Sequence, residues 1–376
     1  MPQLRTLPAP LEQPHPPAVS LGRPSLEAAK LAYSTRHVRL EAVRGIRADV
    51  VPGAGDLVLA VVTEVGQHKR LELRDGRRAA LFPGDEIVVC YGSRYAPDQF
   101  EAEVPPRIER CALVAAGGVA GRMITAHDRV AEPTQIKPLG VLTQENGRPV
   151  NLRDWALPAT EASRPAPPTI AVLGTSMNSG KTTAAAHLVR GLSAAGTRPG
   201  AAKVTGTGAG GDVWLLQDAG ATPVLDFTSA GHVSTYGVAP AEIERVMFTL
   251  HGHVAAARCD VVVLEVADGL FQQETRALTE SEGFADTVDG VLFAACDALG
   301  AALGVDRLRH LGLPVLGVTG MVTASPLAAR EAAAGTGVPV LGLEALEDPK
   351  AAAQLLADLS DDGQTTTETR EQSLRR

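Results

Sequence analysis

Residues Thr169–Gly196 read TIAVLGTSMNSGKTTAAAHLVRGLSAAG, and this stretch decides the fold of the second half of the chain. TIAVLG (Thr169–Gly174) is short, apolar and ends in glycine, which predicts a buried strand. The run from Lys181 to Ala195 predicts a helix. Between them lies GTSMNSGKTT, Gly174–Thr183. A glycine-bearing turn between a buried strand and a helix, closed by lysine and threonine, is the context a phosphate-binding loop needs. Loop N–H groups and the positive helix end hold phosphate. Lys181 is expected to reach the β- and γ-phosphates, and the Thr182 hydroxyl to bind Mg²⁺. Gly180 lets backbone approach phosphate closely. Gly174, Thr175, Asn178, Ser179 and Thr183 complete the expected nucleotide-binding loop. The spacing departs from GxxxxGK[ST] in one respect. Thr175 holds the place of the first glycine, and Gly174 lies one residue earlier.

Working outward, strands and helices alternate after this loop. GAAKVTG (Gly200–Gly206), CDVVVLEV (Cys259–Val266), DGVLFAAC (Asp289–Cys296), LPVLGVTG (Leu313–Gly320) and VPVLGL (Val338–Leu343) read as strands. Helices are expected at Pro240–Ala257, up to Leu311 and near Pro326–Thr336. The continuous apolar strands predict an α/β, mostly parallel sheet covered on both faces. Such sheets bind ligands at the carboxyl ends of their strands. Asp212 and Glu265 follow strand ends on the loop's side, so with Thr182 they form a candidate oxygen site for Mg²⁺. Asp268 is a further candidate for metal or water positioning. Lys203 follows two small apolar residues in an expected central strand. Burying it unpartnered is costly, which points to an anionic substrate group. DFTSAGHVSTYG (Asp226–Gly237) is a hydroxyl-rich loop with His232, Ser234, Thr235 and Tyr236 as substrate contacts, or a plain surface loop.

The first half has a different texture. DLVLAVVTEVG (Asp56–Gly66), DEIVVCYG (Asp85–Gly92) and ERCALVAAGG (Glu109–Gly118) read as strands. Asp75–Gly76 and Asn146–Gly147 read as hairpin turns. A smaller β-rich barrel-like or sandwich domain is expected over residues 35–155. YGSRYAPDQFEAEVP (Tyr91–Pro105) reads as an ordered loop closing over a partner surface. A proline-rich leader (1–30), a linker (156–168) and a polar tail (359–376) complete the expected layout, with the α/β domain over 169–358. The net charge of −8 does not favour non-specific nucleic-acid binding, although Lys69, Arg70, Arg74, Arg77 and Arg78 form one basic cluster. Cys90, Cys111, Cys259 and Cys296 include no CxxC pair, which fits reduced thiols and a cytoplasmic setting. No apolar run long enough for a membrane span is present.

The loop GTxxxxGKT resembles that of dethiobiotin synthetase and its relatives, including the cobyrinic-acid amidating synthetases. It is also similar to the adaptor NTPase of molybdopterin-guanine dinucleotide synthesis. A broader resemblance is to the P-loop domain of bacterial proteins grouped with D-glutamate N-acetyltransferase. The resemblance covers about residues 169–345 and is carried further by AAKVTGTG (Ala201–Gly208), GGDVWLL (Gly210–Leu216) and VVVLEVADG (Val261–Gly269). It implies a P-loop NTPase fold with ATP and Mg²⁺ as cofactors. It implies that Lys203 faces the substrate and that Asp212 and Glu265 stand near the metal. Lys181, Lys203 and Glu265 are then the catalytic candidates. Where the family has an asparagine that reads adenine, this chain has Thr319–Gly320, so GTP stays open beside ATP.

Three functions stay open. One is an ATP-dependent synthetase or ligase acting on a small acidic substrate. A second is an NTPase switch or adaptor acting on a protein partner, with a homodimer as one form. The third, a nucleic-acid-associated ATPase, is disfavoured by the acidic charge. No membrane partner is expected.

Overall fold

The computed structural model describes residues 26–161 and 166–359. The expected leader and tail fall almost wholly outside these residues, as do four residues of the expected linker.

The first half folds as ten strands: β1 (Lys30–Leu31), β2 (Gly45–Arg47), β3 (Leu57–Glu64), β4 (Arg70–Glu72), β5 (Arg78–Ala80), β6 (Glu86–Tyr91), β7 (Phe100–Glu103), β8 (Cys111–Ala115), β9 (Val119–Ala126) and β10 (Thr134–Thr143). Pairing runs β6–β3–β10–β8–β9 and then returns from β9 to β6, so five strands close into a ring. Closure satisfies the edges that an open sheet leaves bare. β1, β2 and β7 add to the outside of this ring. β4 and β5 form a separate hairpin. Its turn is one residue longer than expected, because Leu73 N–H donates to Arg77 O and Gly76 takes the left-handed position at φ 85°. β7 arises inside the segment read as a loop, pairing Phe100–Glu103 with β9.

The second half has β11 (Thr169–Gly174), β12 (Pro199–Lys203), β13 (Val224–Asp226), β14 (Val261–Glu265), β15 (Gly290–Ala294) and β16 (Val315–Thr319). Their order is β13-β12-β14-β11-β15-β16, and every pairing is parallel. The helices are α1 (Lys181–Ala194), α2 (Gly211–Asp218), α3 (Pro240–Ala256), α4 (Gln273–Thr279), α5 (Glu282–Thr287), α6 (Ala298–His310), α7 (Pro326–Thr336) and α8 (Leu343–Glu347). Every residue of β11 is buried. Ala171 and Leu173 pack toward α3, α6 and α7, while Ile170 and Val172 pack toward α1. This alternation buries both faces of the strand, which is why its sequence is apolar throughout.

The strand expected at VPVLGL is reduced to a single bridge, Val318 to Val340. Pro339 has no N–H to give a ladder, so only Pro339 O and the Leu341 N–H engage Val318. Beyond it, residues 349–359 are helical. Among the described residues, no helix is long and apolar enough to cross a membrane.

The barrel grips the α/β layer at the start of α2. Buried Glu72 of β4 accepts from Gly210 N–H at 3.0 Å and from Trp214 Nε1 at 3.0 Å. Tyr33 packs edge-on against Trp214 and donates its hydroxyl to Asp226 at 2.8 Å. Arg36 lies over the Tyr33 ring and pairs with the other Asp226 oxygen at 2.8 Å. Asp226 is fully desolvated, yet Arg36 and the hydroxyls of Thr228 and Tyr33 hold its carboxyl below the usual range. Gly117 passes so near the loop before α2 that a Cβ there would lie 2.0 Å from Gly208 O.

Candidate functional site

The chain leaves β11 at the point where its two neighbours diverge: β14 on one side, β15 on the other. Such a switch point opens a crevice at the carboxyl edge of the sheet. Register then decides which side chains meet there. Lys203 at the end of β12 lies opposite Glu265 at the end of β14, and Glu265 lies opposite Val172 of β11.

The loop itself is tightly constrained. A Cβ on Gly174 would stand 2.4 Å from Ser179 Oγ and 2.8 Å from Ala294 O, so a side chain there would displace the loop. Thr175 occupies the position of the missing glycine without strain. Its N–H donates to Ala294 O at 2.9 Å, and its hydroxyl faces Cys296 Sγ at 3.6 Å. Asn178 is left-handed at φ 64° and Gly180 at φ 98°. Gly180 caps α1 without any side-chain bond, which leaves the first-turn N–H groups open to an anion. Ser179 is fully buried and its Oγ has no hydrogen-bond partner among the described residues.

Lys181 is 6% exposed, and its ammonium donates to Ser176 O at 2.7 Å, folding back over its own loop. Burial pushes its pKa down, opposed by Glu265 and Asp268. Thr182 donates its hydroxyl to Glu265 Oε1 at 2.7 Å. Lys203 pairs with Asp212 and stands 3.5 Å from the same Glu265 oxygen. Burial alone would lower the Lys203 pKa, but the two carboxylates hold it above its ordinary value, so the ammonium stays charged. Asp212 sits in the first turn of α2 and is spent on Lys203, while the N-cap position is Gly210.

Glu265 is 2% exposed and desolvation pushes its carboxyl up, with Lys203 pulling the other way. Its second oxygen, Oε2, is buried with no hydrogen-bond partner among the described residues. An orphaned carboxylate oxygen beside a threonine hydroxyl is a donor set that suits a hard divalent cation. Thr182 and Glu265 therefore fit Mg²⁺, with Asp212 held one step back by Lys203. Among the described residues, no cluster of three or more His, Cys, Asp or Glu side chains forms a metal site without such help.

Asp268 is left-handed at φ 63°, and burial pushes it up to about 6, against the pull of Lys181 and Lys203. The following Gly269 packs on the loop, where a Cβ would lie 2.1 Å from Thr175 O.

One residue of the site comes from the barrel half and was not foreseen. Asp98 accepts from Asn178 Nδ2 at 2.8 Å, and its other oxygen is buried without a partner. It lies within Tyr91–Pro105, the segment read as closing over a partner surface; the surface it meets is the phosphate loop of its own chain. Nothing in the sequence links positions 80 residues apart, so this contact was invisible there. Gly320, at φ 89° and part of the Thr319–Gly320 pair that the resemblance puts at the nucleotide base, lies against the loop itself: a Cβ there would lie 2.2 Å from Ser179 O, which accepts from Met321 N–H at 3.0 Å.

The loop residues Asp226–Gly237 divide. Thr235 is bound to Gly206 through both backbone and hydroxyl. His232, Ser234 and Tyr236 line a cavity between the two halves. His251 meets the Thr169 hydroxyl at 3.0 Å, and His253 meets Pro158 O at 2.9 Å.

No protein-family model matches the sequence, and a search of curated proteins finds no match. Among solved structures, the Signal Recognition Particle 54 kDa protein from Aeropyrum pernix K1, in complex with GDP, is 22% identical over 56% of this chain and 51% of that chain, at a TM-score of 0.35. The cell division protein FtsY from Thermotoga maritima is 19% identical over 55% and 73%, at 0.33. The signal recognition particle receptor FtsY from Elizabethkingia anophelis, in complex with GDP, is 18% identical over 52% and 66%, at 0.34. The chain thus spans about half the length of the first of these. At such TM-scores the overlap does not define the fold. The parallel strand order and the strand–loop–helix at Thr169–Ala194 do, and they are those of a P-loop NTPase layer.

Proposed function

We propose that this P-loop layer serves an Mg²⁺-dependent synthetase, which uses a nucleoside triphosphate, ATP before GTP, to activate a carboxylate on a small acidic substrate. The observation that carries this reading is Lys203. A buried ammonium stands at the carboxyl edge of the sheet, beside the carboxylate that accepts from the Thr182 hydroxyl. That is a place for a substrate anion next to a place for phosphates. A substrate carboxylate oxygen would attack the terminal phosphorus. The bond from that phosphorus to the bridging oxygen breaks, nucleoside diphosphate leaves, and an acyl phosphate remains. A nucleophile then displaces phosphate from the acyl carbon.

In this scheme Lys181 leaves Ser176 O for the phosphate oxygens and offsets their charge, and the α1 N-terminus adds fixed dipoles. Lys203 exchanges part of its pairing with Asp212 for the substrate carboxylate. Thr182 and Glu265 would hold Mg²⁺, which supplies charge neutralisation on the phosphate oxygens. This reading is the one that the resemblance to dethiobiotin synthetase also implies.

A second reading, an NTPase switch, is favoured by one contact. Asn178 of the phosphate loop is held by Asp98 of the barrel half, so a change at the loop is felt across the junction.

Phosphate release separates the two. With ATP or GTP, Mg²⁺ and a panel of small carboxylic acids, the synthetase reading expects slow release that one acid accelerates. Release that ignores every acid but rises with a protein partner overturns it in favour of the switch.

A further inference from the structure

A second chamber lies away from the phosphate loop. It has a volume of about 570 Å³ and opens between the barrel half and the start of α3. Ser93 and Arg153 contribute from the first half of the chain; His232, Ser234, Glu242 and Arg245 contribute from the second. A concave site of this size with a few convergent polar groups is what a small metabolite requires.

Charge bookkeeping inside the chamber identifies the ligand class. Among the described residues Glu242 is the only acid on its wall, and it is already engaged on both oxygens. His232 Nε2 meets Oε1 at 3.0 Å, and Arg245 pairs with Oε2. Among the described residues the Arg153 guanidinium makes no hydrogen bond or close ion pair; it acts only at longer range, as on the Asp56 carboxylate, which is not part of the chamber wall. Within the chamber its donors are therefore unspent. Both guanidinium groups also bear on His232, which burial and then Arg153 and Arg245 push down to about 4. The imidazole is thus neutral at pH 7 and donates to Glu242. Hydroxyls of Ser93 and Ser234 supply further polar edges. An unpaired, planar, five-donor cation in a cleft suits a carboxylate or phosphate group.

We infer that this junction chamber is a binding site for a small anionic molecule bearing a carboxylate or phosphate group, anchored by Arg153 with Arg245 behind it. The inference is independent of the phosphate-loop reading, because no residue of Gly174–Thr183 lines the chamber. Its occupant touches both halves at once, so it also ties them together.

Calorimetric titration of the full chain with succinate, glutarate and inorganic phosphate, without nucleotide, tests it. Saturable binding of at least one probe is expected, weakened about tenfold or more by Arg153→Glu, since a charge-assisted bond is worth that much. Arg153 is exposed, so the variant should fold, and unchanged melting in the absence of probe verifies this. Arg153→Lys should retain part of the affinity that Arg153→Glu loses, while Lys181→Ala should bind the dicarboxylates as the wild type does. Preference for the dicarboxylates names carboxylate as the group, and phosphate binding that persists in Lys181→Ala but falls in Arg153→Glu names phosphoryl. No saturable binding by any probe, or equal binding in Arg153→Glu, overturns the inference. Loss of nucleotide binding in Lys181→Ala with intact anion binding separates this site from the one proposed above.

Discussion

Glu265 is buried with one oxygen on the Thr182 hydroxyl, the other bare, and an ammonium 3.5 Å away. A carboxylate left so incompletely satisfied costs stability, and packing alone gives no reason for it. A divalent ion would complete it. Glu265→Gln keeps the shape and a hydrogen-bond acceptor for Thr182 but removes the charge. We expect this variant to lose about tenfold or more of the Mg²⁺-dependent gain in nucleotide affinity, with affinity in EDTA little changed. Titrations of both proteins with and without Mg²⁺ decide it; an undiminished Mg²⁺ gain in the variant removes Glu265 from the metal site. At this scale much was legible. Gly174–Thr183, Lys203 and Glu265 sit where a buried strand turns into a loop, and chemistry at such positions shows in local sequence. Asp98 reaches the loop only through tertiary packing, and no local pattern encodes that.

α2 shows how an element is placed from outside itself. Its N-terminus has no side-chain cap of its own, and Glu72 of the barrel half accepts from Gly210 N–H and Trp214 Nε1. The helix carries Asp212, which holds Lys203. Glu72→Ala strips both buried donors of their acceptor and should cost about 1–3 kcal/mol in denaturant unfolding. It should also weaken acceptor-stimulated phosphate release more than nucleotide binding, because Asp212 moves and Lys181 does not. Equal stability of variant and wild type would show that the junction bond contributes nothing. Five of the six strands of the α/β layer were readable from apolar runs, and α7 matched its expected bounds, framed by Pro326 and Gly337. β13 (Val224–Asp226) was not, since it is three residues long and its Asp226 reads as the start of a loop. β7 and β9 were not readable. Phe100–Glu103 and the outer part of Val119–Ala126 carry charged or exposed residues whose strand character comes from pairing with each other. VPVLGL misled in the opposite direction, since its apolar pattern is that of a strand but Pro339 denies it a ladder.

The junction combines apolar packing, with Val233 of the second half in the core cluster of the barrel, and polar contacts that respond to acid. His37 meets the Ser229 hydroxyl at 3.2 Å across the junction, and burial together with Arg36 pushes it down to about 4. His232, in the junction chamber, is lowered to about 4 as well. Both are neutral in the folded state and titrate at ordinary pH when unfolded, so the unfolded chain binds protons first. Their contribution is intact above about pH 6.5 and is lost as pH falls toward 4. Asp268, raised to about 6, has the opposite sign: its contribution is present below its unfolded pKa and is lost as pH rises through 6. We expect Trp214 emission, in a Trp155→Phe background, to shift to the red between pH 6.5 and 4 as the Tyr33 and Glu72 contacts open. His37→Gln should move that transition to lower pH. A transition unmoved by the substitution would assign acid sensitivity elsewhere.

The central claim is that Gly174–Thr183 binds a nucleoside triphosphate with Mg²⁺, and calorimetric titration of the full chain with ATP and with GTP, with and without Mg²⁺, tests it most directly. Mg²⁺-dependent, saturable binding of at least one of them by the wild type is expected, and none by a folded Lys181→Ala variant. Binding of neither nucleotide, or equal binding by that variant, would contradict it.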